Sequence, residues 1–456
     1  MNNKKQNRFN EIPLFVYPSF PMSEPNEEIP IHEGKFVLTA NDLTLTIEGK
    51  IFYQWLPRGS VIFEGIVTSA PVGFKHLKMM NKELILLINE LQFDKAIILK
   101  FTLGDKSEVR GKIVSKPTLF GDPSISVEKI KFAIPNLRYF NGDPTKIEKR
   151  NGVQLINSRL CLNNEYYSIN IDQTADFKQL DDNLKKRGGY LILYGGEITK
   201  YGKKIDYEEL QNLRDCLNKF LSFLNGKRCS LMFCQGVYGD EVIWTYYTNY
   251  IVDQYKYVNS WPQAHSIFGL NDLWCKFYKL WQDPNDRDFI STAIHWYTEA
   301  NMNTGYLEGS LIMGQIALEL IYNWLVIEKK HILYGKDAES ISASNKIRLL
   351  LSQVEGTGDI PEAFGALKSY LSNNQDISDG VDIIVQIRNI IIHAQEEKRN
   401  KLINIEPKVK YEAQQLALWY IEYSLLYILE YKGKYFNRTS GKQWSGEGEE
   451  DSPYNS

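Results

Sequence analysis

The sequence predicts an α+β protein, a β-rich N-terminal part followed by an all-α helical bundle, because its hydrophobic period changes partway along the chain. Up to about residue 170 apolar and polar residues largely alternate, the period of half-buried strands. Beyond SWPQAH (260–265) the runs are longer and follow a helical period, with broad apolar faces. With 456 residues the chain is also long enough for two or three domains.

Taken in order, residues 1–30 carry prolines and the acidic piece SEPNEE, and read as a flexible arm. From 31 to 262 a β-rich region is expected, with a break near 172. Its strands come from KFVLTANDLTLTIEGKIFYQW, SVIFEGIVTSAP, AIILKFTL, EVRGKIVSK and SISVEKIKFAI, with turns at Asn41-Asp42 and Gly49, and suit a sandwich or barrel. After the break, YEELQNLRDCLNKFLSFLNG reads as a helix ended by Gly226, with strands in CSLMFCQGVYG and EVIWTYYTNYIV. KKRGGYLILYGGEITKYGKK (185–204) mixes cations with tyrosines; a β-hairpin with exposed lysines explains it better than a nucleic-acid platform.

The helical part, 263–436, contains LNDLWCKFYKLWQ, DFISTAIHWYTEANM, EGSLIMGQIALELIYNWLVIEKK, SASNKIRLLLSQV and PEAFGALKSYL. VDIIVQIRNIIIHAQEEKRNK and KYEAQQLALWYIEYSLLYILEYK complete it, and the polar residues 437–456 read as a disordered tail.

Several function classes lose support at once. The net charge of −3 argues against a general nucleic-acid coat, though not against a local basic surface. Five cysteines form no C-x-x-C pair, and Cys229 and Cys234 lack a second ligand pair, so no metal is expected. No cofactor fingerprint, signal-peptide core or charge-free run of membrane length occurs, so a cytoplasmic, soluble protein with no membrane contact and no cofactor is the expectation.

One helix stands out. On a wheel of VDIIVQIRNIIIHAQEE, Val381, Ile384, Val385, Ile387, Ile391 and Ile392 fall within roughly 100° of Arg388. Ile383 and Ile390 lie opposite, so the helix is apolar nearly all round. The remaining strip collects Asp382, Gln386, Asn389 and His393, the last two being i, i+4 neighbours. A bland account makes Arg388 a structural anchor paired with Asp382 or Glu319, and His393 a satisfied core histidine. Against it, of the six histidines only His393 has an arginine five residues earlier.

Arg388-Asn389-Ile390-Ile391-Ile392-His393 is similar to the R-N-x-x-x-H signature of HEPN ribonucleases, on a late helix of a helical bundle. GQIALELIYNWLV (314–326), with Glu319, resembles an early long helix of that fold, and a β-rich half before such a bundle resembles the ApeA-type proteins of bacterial antiviral defence. The resemblance implies a metal-independent endoribonuclease for antiphage defence by abortive infection, with transfer RNA a candidate substrate. It implies a homodimer, or a higher oligomer, built through the motif helix, and a β-rich region that senses a phage-derived trigger or restrains the nuclease. His393 would be general acid or base, Arg388 would hold the scissile phosphate, and Asn389 would orient the histidine or bind phosphate. Attack by the ribose 2′-hydroxyl would leave a 2′,3′-cyclic phosphate and a 5′-hydroxyl. Lys398, Arg399 and Lys401, with Lys408 and Lys410, would grip RNA backbone or merely solvate a helix end. Asp382, Gln386 and Glu319 would support from outside the site. The rival is a non-catalytic HEPN module for binding or dimerisation. A ligand-binding sheet domain with a helical tail has no positive signal.

Overall fold

The computed structural model describes residues 11–456 except 41–42, 72–81, 89–90, 104–105, 150–151, 248–250, 266, 304, 394, 443–446, 453 and 455–456. The alternating region from Ile29 to Ile113 closes into a barrel of strands β1 (Ile29–Ala40), β2 (Leu43–Gln54), β3 (Ser60–Ser69), β4 (Leu84–Ile88), β5 (Leu91–Thr102) and β6 (Glu108–Ile113). Their order around it is β1-β2-β3-β6-β5-β4, so neither edge is left open. Phe36, Leu38, Leu45, Ile47, Ile51 and Phe63 point inward and are buried, as the period-two pattern requires. The expected Asn41-Asp42 turn lies outside the described residues.

A second, eight-stranded sheet follows. It comprises β7 (Leu119–Gly121), β8 (Lys129–Pro135), β9 (Asp143–Lys149), β10 (Gly152–Cys161), β11 (Tyr167–Gln173), β12 (Ile192–Lys200), β13 (Met232–Tyr238) and β14 (Glu241–Tyr246). The order is β7-β14-β13-β8-β12-β11-β10-β9. Helices α1 (Phe177–Arg187) and α2 (Tyr207–Asn225) accompany it, and α2 ends at Gly226, whose φ of 70° is the left-handed cap the sequence suggested. Aromatic rings join barrel to sheet: Phe233 meets Tyr53, Trp55 and Phe20 at centroid distances of 5.0, 5.7 and 5.4 Å.

The 185–204 stretch is neither a hairpin nor an exposed platform. Lys185, Lys186 and Arg187 close α1, and Ile192–Lys200 is β12, hydrogen-bonded between β8 and β11 with Tyr194 fully buried. Gly188 and Gly189, both at positive φ, turn the chain between them, which made the composition look like a hairpin.

The helical region consists of α3 (Leu270–Gln282), α4 (Pro284–Asn301), α5 (Tyr306–Tyr322, continuing as a π-helical stretch to Lys329), α6 (Gly335–Ser340), α7 (Ala343–Gln353), α8 (Gly365–Ser372), α9 (Gly380–His393), α10 (Glu396–Asn404) and α11 (Pro407–Ile428). The fold is thus α+β. α5 lies between α4, α7, α9 and α11, with Leu311, Ala317, Leu318 and Ile321 buried. By length and composition alone the helix Tyr306–Lys329 is long and apolar enough to cross a bilayer; most of it is buried inside the bundle. A side chain at Gly314 would meet Ala417 Cβ at 3.5 Å, so α5 and α11 approach closely.

Both chain ends differ from expectation. Residues 11–30 do not form a loose arm: Phe15, Val16 and Met22 are buried, and Val16 N–H donates to Asp172 Oδ2 at 2.7 Å. Asp172 itself forms a buried ion pair with Arg159 (2.7 Å), whose Nη2 also donates to the Leu14 carbonyl. Residues 1–10 of the expected arm lie outside the described residues. The described residues of the expected tail are held as well, while 443–446, 453 and 455–456 lie outside the described residues. β15 (Lys434–Phe436) pairs with β16 (Glu449–Asp451), and Asn437, Arg438 and Thr439 are buried. In each segment one arginine–carboxylate pair supplies the anchor, which polar composition hides.

Candidate functional site on the motif helix

Helix α9 starts under tight control. Asp379 Oδ1 accepts the Asp382 N–H at 2.8 Å, and Asp382 Oδ2 accepts the Ser378 N–H at 3.1 Å. Arg348 of α7 then clamps both carboxylates, with Nε–Oδ2 of 2.7 Å to Asp379 and Nη2–Oδ1 of 2.8 Å to Asp382. The Asp382 carboxyl is lowered from its ordinary value: burial pushes it up, and hydrogen bonds from Ser344, Arg348 and Ser378 outweigh that. Acidic groups in the first turn also suit the helix dipole. Gly380 admits close packing, since a Cβ there would meet Leu416 Cδ2 of α11 at 2.6 Å.

From this anchored start the helix runs outward. Val381, Ile383, Ile384, Val385 and Ile387 are buried among α5, α7, α8, α10 and α11. Each such side chain contributes roughly 1.5–3 kcal/mol of burial. The apolar surround that suggested a partner interface is therefore mostly used inside the chain's own bundle. Only the last turn emerges: Ile390 and Ile391 are half-buried, and Ile392 is 44% exposed. His393 is exposed at the end, and a separate helix, α10, begins at Glu396. The sequence had read α9 and α10 as one helix.

Arg388 and Asn389 sit where the helix leaves the core, both half-buried. Arg388 Nη1 donates to Asn389 Oδ1 at 3.0 Å, and among the described residues the guanidinium has no carboxylate partner. The two partners a structural anchor would use are occupied elsewhere. Asp382 belongs to Arg348, and Glu319 of α5 accepts from Gln315 Nε2 at 2.8 Å. Asn389 lies one turn from His393, about 6 Å between Cβ atoms. Its oxygen is held by Arg388, and among the described residues its amide nitrogen has no acceptor. Among the described residues no hydrogen bond fixes the His393 ring.

The other expected residues divide clearly. Asp382 lies some three turns, ~16 Å, from His393 along the axis and serves the helix start. Gln386 is half-buried on the same strip, midway. Lys398 is half-buried on α10, while Arg399 and Lys401 are exposed, and Lys401 pairs with Glu397 one turn away at 2.8 Å. Lys410 pairs with Glu308 at 3.0 Å, whereas Lys408 lines a cleft of about 500 Å³ with Tyr370, Asn373 and Asn404. A larger cavity, about 550 Å³, lies away from the motif between α2 and α4 and includes Lys219, Arg228 and His295. The sequence reading missed Arg348 and Gln315, which take up the carboxylates near the motif helix. Among the described residues no group of three or more His, Cys, Asp and Glu side chains is placed to hold a metal ion.

Residues 122–258 match the model of the YopA central domain, and residues 283–450, which include α9, match that of the YopA C-terminal domain. The chain is 27% identical over 427 residues to the SPbeta prophage-derived uncharacterized protein YopA of Bacillus subtilis (strain 168). That similarity covers 92% of this chain and 94% of that protein. No solved structure matches. None of these descriptions names an activity.

Proposed function

We propose that the protein is a metal-independent endoribonuclease of the HEPN type, with Arg388, Asn389 and His393 as its working residues. The observation that carries this reading is the Arg388 guanidinium at the point where α9 leaves the core, which among the described residues has Asn389 but no carboxylate beside it. A half-buried cation without a carboxylate is costly unless an anion visits it, and RNA supplies phosphate at that position. Its planar fork would hold the scissile phosphate and stabilise the pentacoordinate transition state, with the Asn389 amide as a further donor. His393, exposed one turn on, would take the 2′-hydroxyl proton or protonate the leaving 5′-oxygen. One imidazole cannot do both in a single step, so two chains would meet at their last turns, around Ile391 and Ile392.

In this reading the N-terminal β regions sense a trigger or hold the nuclease in check until a phage is present. If borne on a prophage like its B. subtilis relative, the protein would deny the host cell to a competing phage. The unfixed His393 ring favours a second reading, in which the motif only binds RNA or a partner chain and cuts nothing. Expression of wild type, His393→Ala and Arg388→Ala, with growth and RNA integrity as readouts, separates the two. Growth arrest and RNA cleavage by wild type alone support the nuclease; equal outcomes for all three chains overturn it.

A further inference from the structure

Where the barrel meets the eight-stranded sheet, the loop between β2 and β3 overhangs a cleft of about 280 Å³. Three cations converge there from three parts of the chain: Arg58 from that loop, Lys112 from β6, and Lys116 from the segment leaving the barrel. Strand pairing brings two of these sources together, since Ile62 of β3 lies opposite Lys112. Among the described residues no carboxylate lines the cleft and none of the three cations forms an ion pair. Ser60, Ser115 and Thr118 add hydroxyls to its wall.

A neighbouring cleft on the same barrel provides a contrast. It holds Glu64, Lys100, Glu108 and Arg110, and there Arg110 and Lys50 both pair with Glu64. Like charges gathered without counter-charge repel by about 1 kcal/mol per pair at ~4 Å even in water, so the unbalanced cleft is suited to a bound anion.

Arg58 and Gly59 also line a second cavity, of about 240 Å³, whose other walls include Tyr53, Trp55, Tyr190 and Met232. Trp55 stacks on Tyr190 there, with centroids 5.3 Å apart. A cationic compartment and an aromatic one thus share a single loop. Together they reach the lower part of the roughly 300–1,000 Å³ range of small-ligand sites. We infer that this composite cleft binds a nucleoside phosphate, with its phosphates among Arg58, Lys112 and Lys116 and its base in the aromatic compartment.

The arrangement does not depend on RNA cleavage, and its test reads binding alone. Calorimetric titration of the full chain would use ATP and GTP, with pyrophosphate, adenosine and a short single-stranded RNA as comparison probes. The expected result is saturable binding of at least one nucleotide that weakens with salt and falls tenfold or more in Arg58→Glu/Lys116→Glu. Lys100→Glu, in the charge-balanced cleft, should leave it unchanged. Both altered positions of the double variant are exposed, and an unchanged circular dichroism spectrum would confirm its fold. In the wild type alone, pyrophosphate and adenosine should each bind at least tenfold more weakly than the nucleotide. No nucleotide binding at millimolar concentration, or binding indifferent to the double variant, would overturn the proposal. So would pyrophosphate equal to the nucleotide, or RNA binding more tightly than the nucleotide at the same residues.

Discussion

Arg438 donates from Nε to Glu422 Oε2 at 2.8 Å, an ion pair in which both side chains are essentially inaccessible to solvent. Glu422 lies in α11 and also accepts from the Tyr297 hydroxyl of α4 at 2.5 Å. Arg438 donates further to Gln415 and Asn301. One guanidinium thus ties the start of the C-terminal segment into the bundle, and the β15–β16 pairing follows it. Arg438→Ala leaves a buried carboxylate uncompensated and should cost about 3–5 kcal/mol, read by denaturant unfolding. A chain ending at residue 436 should lose a comparable amount; unchanged stability in either would remove the tail from the fold's essentials.

Arg348 and Arg388 should separate stability from activity. Arg348→Ala strands Asp379 and Asp382 at the start of α9 and should lower stability by about 1–3 kcal/mol. Arg388→Ala removes a group whose hydrogen-bond partner among the described residues is Asn389, so its stability change should stay within about 1 kcal/mol while RNA cleavage is lost. Parallel unfolding and cleavage assays would show whether the two effects divide this way.

Asn389→Asp tests the same site from the opposite direction. The substitution places a carboxylate beside the Arg388 guanidinium and should hold it in a charge-assisted pair. The expected result is unchanged or raised thermal stability together with weaker RNA binding and little cleavage. Full cleavage by this variant would mean that Arg388 need not be free.

Lys227 gives a pH signature. It is 5% exposed, its ammonium donates to the Lys256 carbonyl at 3.0 Å, and burial pushes its pKa down to about 8. Below pH 8 both folded and unfolded chains carry the proton, and the folded state bears the cost of burying the charge. Between about 8 and the ordinary 10.5 the unfolded chain binds more protons, so this group adds stability as pH rises. The slope is at most about 1.4 kcal/mol per pH unit. Buried Cys229 and Cys234, raised by burial from 9 to about 12 and about 11, act in the opposite sense from about pH 9 upward, overlapping the upper part of the lysine's window. The difference between wild type and Lys227→Met isolates the lysine, and the variant should be the more stable chain at neutral pH. A difference independent of pH would contradict the buried charge.

Periodicity carried the architecture because strands and helices announce themselves by which face they bury. The six barrel strands form a closed sheet rather than an open one through the pairing of β1 with β4, and alternation says nothing about which distant strand closes a sheet. Arg159–Asp172 and Arg438–Glu422 were invisible for a related reason. An arginine in a polar segment looks solvated until the fold supplies its partner from more than ten residues away. For α9 the wheel identified the polar strip, while the burial gradient from Val381 to His393 depends on how far the neighbouring helices extend. The clamp at Arg348 also needed the bundle: nothing local links it to Asp382, thirty-four positions later.

The account is tested most directly by the ends of RNA incubated with purified chain in EDTA. Wild type should yield 2′,3′-cyclic phosphate and 5′-hydroxyl ends, and His393→Ala, at unchanged thermal stability, should yield none. RNA left intact by a folded wild type, or cut to 3′-hydroxyl ends equally by both chains, would contradict it.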